Sequence, residues 1–251
     1  MLTIERCQYI ISEIDKHGYI KLQDICHKLN VSESTVRRDL QQLETDGELV
    51  RVHGGAQSIQ SLKVESNLEE KFSLNTPNKI AVAKAAANLI KPNNVIFLDA
   101  GSTTFAMIPY LKLVNNLTVV TNGVNHALSL SENDIRTIVI GGQVKANTKA
   151  IVGADSIKSI KNLQFDLVFL GINSINNKFG FSTPDPEEAA VKLAAIHQSR
   201  QTYVLADKSK FNQVSFIKVA DLNQATIITD KLPVTDSESY KTQTKILEVQ
   251  Q

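Results

Sequence analysis

The first sixty residues contain three short helical patterns followed by a strand pattern and a pair of glycines, an order that few folds accommodate. Apolar side chains recur at positions i, i+3, i+4 and i+7 over residues 7–14, which is typical of an amphipathic helix, and Gly18 is expected to end it. The same spacing over residues 22–29 predicts a second, shorter helix. Both patterns indicate a compact unit whose helices pack their apolar faces together.

A third helix is predicted to follow the turn formed by residues 30–32, where Ser32 is well placed as the N-cap. Its core face is expected to carry Val36, Leu40 and Leu43. Its opposite face carries Ser34, Arg37, Arg38 and Gln41. Gly47 is expected to end this helix, and the alternation over residues 48–53 predicts a strand before the glycine pair. Three helices followed by a hairpin constitute a winged helix-turn-helix.

The chemistry of the third helix suits DNA. Arginine guanidinium groups bind guanine edges or phosphate, and serine, threonine and glutamine add short donors to the backbone or to base edges. On the following strand, Arg51 and His53 would reach the flanking groove or the DNA backbone as a wing. The first 56 residues nevertheless hold seven basic and nine acidic residues, so the alternative that Arg37 and Arg38 are ordinary solvated charges stays open.

The run VSESTVRRDLQQLETDGELVRVHGGA, residues 31–56, resembles the signature of DeoR-family regulators. That resemblance implies that the third helix meets the major groove and that the wing meets the DNA backbone. The DNA-binding residues predicted in this way are Ser32, Ser34, Thr35, Arg37, Arg38, Gln41, Arg51 and His53. Asp39 is acidic and is expected to pair with an arginine instead of touching DNA.

Periodicity is lost beyond the wing, and we predict a linker over residues 58–78 with a short helix around residues 68–74. This divides the chain into a winged helix-turn-helix domain at 1–57, the linker, and a larger domain at 79–251. The net charge of the whole chain is only +1, so any DNA site must be a local patch.

Helix and strand patterns alternate from residue 79 onward. Buried strands are predicted at residues 95–98, 117–120, 137–140, 167–170, 203–205 and 225–228. Helices are predicted at residues 80–91, where Pro92 ends the helix, and at 103–113, 125–131, 156–162 and 187–199. Strands that alternate with helices indicate an α/β fold with a mostly parallel sheet covered on both faces.

Small, hydroxyl and charged residues follow these strands, at the edge where open parallel sheets bind ligands. The clearest case is the sequence GSTT at residues 101–104, whose backbone N–H groups and three hydroxyls are predicted to converge as an anion cradle. Lys208 and Lys210, which follow another strand, would add cations. A plain N-capping turn and a solvated lysine loop are the respective alternatives.

The resemblance to the DeoR family extends over this domain through the segments DAGSTT, VTN, IGG, FLGIN, TPDPEEAAVK, ADKSKF and IITD. The sensor domains of that family are similar to ribose-5-phosphate isomerase and glucosamine-6-phosphate deaminase, which implies a sugar-phosphate effector. The effector-binding residues implied are Asp99, Gly101, Ser102, Thr103, Thr104, Asn122, Glu188, Lys192 and Lys210. For Asp99, a structural role is the alternative. Two segments, TPDPEEAAVK and FLGINSI, look most like fructose-operon repressors, whose implied inducer is fructose 1-phosphate.

These patterns together predict a transcriptional repressor of a sugar-catabolic operon. Reading two DNA half-sites requires at least a dimer, so a homodimer or homotetramer is expected. The alternative is an active sugar-phosphate isomerase or deaminase that carries a DNA-binding module and uses Glu187, Glu188 or Asp207 as its base. The remaining candidates, His126 and His197, fall inside predicted helices. An activator is a third alternative, because the position of the operator decides the sign of regulation.

Other classes of protein are disfavoured. We predict no catalytic residue, no metal site and no cofactor, and the resemblance points to binding without turnover. Cys7 and Cys26 have no metal-ligand spacing and are predicted to be buried thiols in a reducing compartment. No segment approaches the ~20 apolar residues of a transmembrane helix, so we expect a cytoplasmic protein without a membrane partner.

Overall fold

The computed structural model describes residues 2–17, 19–52, 54–58, 62 and 68–249. Its N-terminal part is a winged helix-turn-helix, as the sequence predicts. The elements are α1 (Thr3–His17), β1 (Tyr19–Lys21), α2 (Leu22–Leu29), α3 (Glu33–Thr45), β2 (Leu49–Val52) and β3 (Gly55–Ser58). The three strands form an antiparallel sheet in the order β1-β3-β2, and we call this whole unit the head.

Local chemistry explains where α3 begins and ends. The Ser32 side chain accepts a hydrogen bond from the Thr35 backbone N–H at 3.3 Å, which is the predicted N-cap. Asn30 adopts a left-handed conformation that ends α2, and Gly47 does the same after α3 with φ +75°. Gly18, expected to end α1, lies outside the described residues. Strand β1 was not predicted, because three residues are too few to show a period.

The head has its own apolar core, to which the predicted faces of all three helices contribute. Val36, Leu40 and Leu43 are buried, as expected. Asp39 is also buried and accepts two hydrogen bonds from Arg6 of α1, at 2.7 and 2.9 Å, which confirms its expected pairing with an arginine. Cys7 and Cys26 were predicted to be buried, but both are only half-buried at the margin of this core.

The rest of the described chain is an α/β domain. Its strands are β4 (Val95–Leu98), β5 (Thr118–Thr121), β6 (Arg136–Val139), β7 (Gln143–Val144), β8 (Ile151–Val152), β9 (Phe165–Gly171), β10 (Ser174–Asn176), β11 (Gly180–Thr183), β12 (Ser199–Leu205), β13 (Ile217–Ala220), β14 (Thr226–Asp230) and β15 (Ile246–Val249). Its helices are α4 (Leu68–Ser73), α5 (Thr76–Ala87), α6 (Ser102–Phe105), α7 (Ile108–Leu111), α8 (Val124–Glu132), α9 (Ala154–Lys161), α10 (Pro186–His197) and α11 (Val234–Lys241).

Seven of these strands form one parallel sheet in the order β15-β14-β12-β9-β4-β5-β6. One face is covered by α5, α7 and α8, and the other by α9, α10 and α11, so each face has its own apolar core. This confirms the predicted parallel sheet with two covered faces. The order of the strands reverses between β4 and β9. Within the described residues, no helix is long and apolar enough to cross a membrane.

Two predicted helices differ from those observed. Helix α5 covers Thr76–Ala87 instead of residues 80–91, so it ends well before Pro92. Pro77 lies in its first turn, where proline is favoured because no intrahelical N–H bond is lost there. The helix predicted at residues 103–113 is divided into the short helices α6 and α7, with Pro109 in the first turn of the second. The sequence did not predict the small antiparallel sheet of β10, β11 and β13.

Candidate functional site

A cleft of about 290 Å³ opens at the carboxyl ends of β4, β9 and β12. It lies where the strand order reverses, which is the usual ligand position in open parallel sheets. Gly101 after β4 and Gly171 at the end of β9 lie close together, since a Cβ on Gly101 would lie 3.7 Å from the Gly171 Cα. Residues of α4, α5 and α10 complete the walls.

Part of the predicted anion cradle faces this cleft. Gly101, Ser102 and Thr103 line it. The N–H groups of Ser102 and Thr103 belong to the first turn of α6, and they donate to no acceptor within the described part of the chain. The arrangement therefore offers two hydroxyls and two backbone donors to an anion.

Thr104 departs from the predicted arrangement. It is fully buried and outside the cleft lining, and its hydroxyl lies 2.6 Å from the Asp99 carbonyl oxygen and 3.2 Å from Nε2 of His126. The pKa of His126 is lowered to about 3, chiefly because burial disfavours the charged imidazolium; Lys192 adds to this and the Gly101 backbone opposes it. His126 is therefore a neutral core residue, and Thr104 holds the loop from behind.

Asp99 and Asn122 also support the loop from behind. Asp99 is buried, forms an ion pair with Lys192, and accepts a hydrogen bond from the Gly171 N–H at 3.1 Å. Asn122 accepts from the Ala100 N–H at 2.8 Å. Neither side chain lines the cleft. For Asp99, these contacts favour the structural one of its two predicted roles.

Several lysines give the cleft a local excess of positive charge. Lys71 of α4, Lys79 of α5, Lys192 of α10 and Lys210 after β12 all line it. Lys208, which was predicted to contribute alongside Lys210, is exposed and lies outside the lining. The Lys79 ammonium donates to the Lys71 carbonyl oxygen, which links α5 to α4.

Burial changes the acidity of two of these lysines. The pKa of Lys79 is lowered to about 8, chiefly by burial; Asp207 opposes the shift, while Lys210 and Lys71 add to it. Burial likewise lowers the pKa of Lys210, against the attraction of Asp207. A bound anion would reverse both shifts, because it stabilises the ammonium form.

The lowered pKa of Lys79 predicts that the affinity of the cleft for anions depends on pH. Lys79 is mostly charged at pH 7 and mostly neutral at pH 9, so phosphate affinity should fall about tenfold between them if the bound state keeps the lysine protonated. Isothermal titration of ribose 5-phosphate above pH 7, where the phosphate is already a dianion, measures this fall. In a Lys79→Arg variant the fall should be much smaller, and an equal fall in both proteins would show that Lys79 is not the titrating group.

Carboxylates face the same space. Glu188 is buried and accepts a hydrogen bond from the Thr148 hydroxyl at 2.7 Å. Asp207 accepts at Oδ1 from Asn75 at 3.1 Å, whereas its Oδ2 is buried and has no hydrogen-bond partner among the described residues. Because a buried carboxylate oxygen without a donor is costly, Oδ2 is suited to receive a ligand hydroxyl.

The second candidate surface is the exposed face of α3. Ser32, Ser34, Arg37, Arg38 and Gln41 are all exposed there, and Thr35 is half-buried. Arg37 donates from Nε to Glu33 at 2.9 Å, in a surface pair that is weak enough to open. Arg51 of β2 donates to Gln41, so the wing and α3 share one polar surface. His53, also predicted to contact DNA, lies outside the described residues.

No sequence pattern indicated that Lys71, Lys79 and Thr148 line the cleft. Lys71 fell in the predicted linker, and Lys79 at the expected start of a helix, where a lysine is ordinarily solvated. Asp207 was considered only as a base. The available signal was the segment ADKSKF, in which Asp207 precedes Lys210 by three residues. Among the residues that the structure describes, no group of three or more histidine, cysteine or carboxylate side chains is arranged to hold a metal ion.

Two family models match the chain. Residues 6–62 match the DeoR-like helix-turn-helix domain, and residues 74–231 match the DeoR C-terminal sensor domain. The chain is 43% identical over 98% of both lengths to the uncharacterized HTH-type transcriptional regulator FruR of Bacillus subtilis. It is 32% identical to the lactose phosphotransferase system repressor of Lactococcus lactis, over 83% of each chain.

Similar solved structures are more distant. One is ribose 5-phosphate isomerase A from Methanocaldococcus jannaschii, with TM-score 0.40 and 18% identity over 53% of each chain. Another is eIF2B delta from Chaetomium thermophilum, with TM-score 0.47 and 15% identity over 79% of this chain and 63% of that one.

Proposed function

The chain belongs to the DeoR family of transcriptional regulators, and from that premise we propose that it represses a sugar-catabolic operon under the control of a sugar phosphate. The observation that carries the proposal is the cleft at the reversal of strand order, where backbone donors, hydroxyls and lysines meet. Phosphate binds such combinations of N–H dipoles and ammonium groups.

The cleft suggests how a sugar phosphate would be oriented. We assign the phosphate to the loop of Gly101, Ser102 and Thr103, with Lys210 and Lys79 as counter-charges. The sugar hydroxyls would then meet Glu188 and the unpaired Oδ2 of Asp207. Thr104, Asn122 and Asp99 would shape the loop from behind.

The head would bind operator DNA through α3 and the wing. Ser34, Thr35, Arg37, Arg38 and Gln41 are proposed for the major groove, with Ser32 near the phosphates at the N-terminus of α3. Arg51 and His53 are proposed for the flanking backbone. Two heads must span half-sites about 34 Å apart or a multiple of that distance, so the functional species would be a homodimer or homotetramer.

Fructose 1-phosphate is the effector that we propose first, since the segments TPDPEEAAVK and FLGINSI resemble fructose-operon repressors. Thermal unfolding against fructose 1-phosphate, fructose 6-phosphate, ribose 5-phosphate, tagatose 6-phosphate and free fructose tests this. A ligand at a hundred times its Kd stabilises the native state by about 2.7 kcal/mol, which raises the unfolding midpoint visibly. We expect the phosphorylated sugars alone to do so, with fructose 1-phosphate foremost. If another phosphosugar is strongest, the choice of sugar is wrong; if none acts, the cleft is not a phosphosugar site.

An enzyme is the second candidate, because Glu188 and Asp207 bring two carboxylates to the cleft. Isomerisation would require one of them to remove a carbon-bound proton. The regulator is favoured, since relatives similar over most of the chain are transcriptional regulators. Conversion of ribose 5-phosphate or fructose 6-phosphate that disappears in a Glu188→Gln variant would decide for the enzyme.

A further inference from the structure

Two residues of the head lie in the wall of the cleft. Tyr19 of β1 and Gln57 of β3 line it together with Ser102, Thr103 and Lys210 of the sensor domain. Tyr19 and Gln57 are directly opposite each other in the antiparallel pair β1–β3. Directly opposed residues project from the same face of a sheet, so both side chains are presented on one side of the head.

A hydrogen bond from Gln57 joins the head to the loop that follows Lys210, and a second bond joins that loop to the chain just after the head. The Gln57 side chain is buried and donates from Nε2 to the Val214 carbonyl oxygen at 3.3 Å. Close by, the Phe216 N–H donates to the Leu62 carbonyl oxygen at 2.9 Å. The wing sheet therefore contacts the chain segment that also carries a cleft lysine.

Tyr19 supplies a polar group with a defined protonation state. Burial, aided by Asp24, raises the pKa of its phenol, so the hydroxyl stays protonated at neutral pH. Its present contact is a long one, 3.4 Å to the Gly54 carbonyl oxygen. A phenol O–H and a glutamine amide are both donors that a phosphate or a sugar oxygen accepts.

We propose that Tyr19 and Gln57 contact the bound effector directly, so that the DNA-binding head is part of the effector site. This rests on the proposed function, since it takes the cleft to be the effector site. Effector binding then stabilises the docked position of the head, and the coupling between effector and operator is reciprocal. The DNA-contacting face of α3 stays exposed when the head is docked. The effector therefore acts by fixing the orientation of the head and not by blocking this face.

The path from ligand to DNA is short. Strand β3 carries Gln57, and the adjacent Ala56 is paired with Arg51 of β2, which we place on the DNA backbone. A ligand that holds Gln57 therefore holds the wing residue Arg51 through one pair of neighbouring strands.

The test measures effector affinity and operator affinity separately in the full-length protein. We expect Tyr19→Ala and Gln57→Ala each to weaken fructose 1-phosphate binding about tenfold, the value of one hydrogen bond to a charged group. In Tyr19→Phe, which leaves the Gln57–Val214 bond in place, operator affinity without effector should stay within about threefold, while the change in operator affinity caused by saturating effector shrinks. Gln57→Glu should weaken binding further, because a carboxylate in the cleft wall would repel the anionic ligand.

Gln8→Ala is the matched control, since Gln8 is an exposed glutamine of the same head outside the cleft lining. Tyr19→Phe keeps the ring and removes only the hydroxyl. If the unmodified protein binds fructose 1-phosphate and the Tyr19 and Gln57 variants bind it equally well, the head is not part of the site and the inference is wrong. If the unmodified protein binds neither this probe nor inorganic phosphate, the proposed function fails with it.

Discussion

Replacing Arg37 and Arg38 together by alanine is expected to abolish operator binding. Each arginine is exposed on α3, and a bidentate arginine contact to a guanine contributes about 1–3 kcal/mol to discrimination. Loss of both should therefore weaken binding by roughly two orders of magnitude or more. Fluorescence anisotropy with an operator selected from random DNA by the unmodified protein measures the change.

The control for this variant is Arg200→Ala, which removes an arginine of the sensor domain whose side chain is 74% exposed. It should leave operator affinity unchanged. The thermal midpoint and the phosphosugar-induced shift should be the same in all three proteins, because α3 packs through its other face. Unchanged operator affinity in the double variant would show that α3 is not the recognition helix.

The second large effect is a loss of folding stability, which we expect when the buried ion pair between Asp99 and Lys192 behind the cleft is broken. Asp99 and Lys192 have side chains only 1% and 4% exposed, so water has little access to replace the charge of the Asp99 carboxylate. Asp99→Asn preserves shape and an acceptor for the Gly171 N–H but removes the charge. Breaking a buried pair in this way costs about 3–5 kcal/mol, and we expect the free energy of unfolding to fall by about 3 kcal/mol.

Two further variants test whether the broken ion pair causes the loss of stability in Asp99→Asn. The double variant Asp99→Asn with Lys192→Met removes both charges, so more than half of the lost stability should return. Breaking the exposed pair between Arg200 and Asp166 by Arg200→Ala should cost less than about 1 kcal/mol. Urea unfolding followed by circular dichroism measures all of these variants. If Asp99→Asn lowers the free energy of unfolding by less than about 1 kcal/mol, the buried ion pair does not contribute to stability as proposed.

The head was predictable because its signals are local. Ser32 caps α3 through a residue three positions away, and Gly47 ends it with a positive φ. The apolar period that places Val36 and Leu40 in the core is likewise a property of one helix. Each of these interactions lies within a few residues along the chain, so the sequence pattern expresses them directly.

The cleft was predictable only in part. The loop with Ser102 and Thr103 was identified because parallel strands end at one edge, whichever strands neighbour each other. The orientation of Thr104 toward His126 was not identified, because it depends on how α8 packs against the loop. Lys71 and Lys79 could not be distinguished from solvated lysines until their helices were placed over the sheet.

The sequence by itself determined the three helices of the head, six of the seven strands of the parallel sheet, and which family the chain resembles. Local periodicity and capping are sufficient for the first two. Only the tertiary structure decided that Lys79 is buried beside Asp207, and that Tyr19 and Gln57 line the cleft. Those contacts join residues far apart in the chain, and burial and charge pairing act through space, so no local pattern records them.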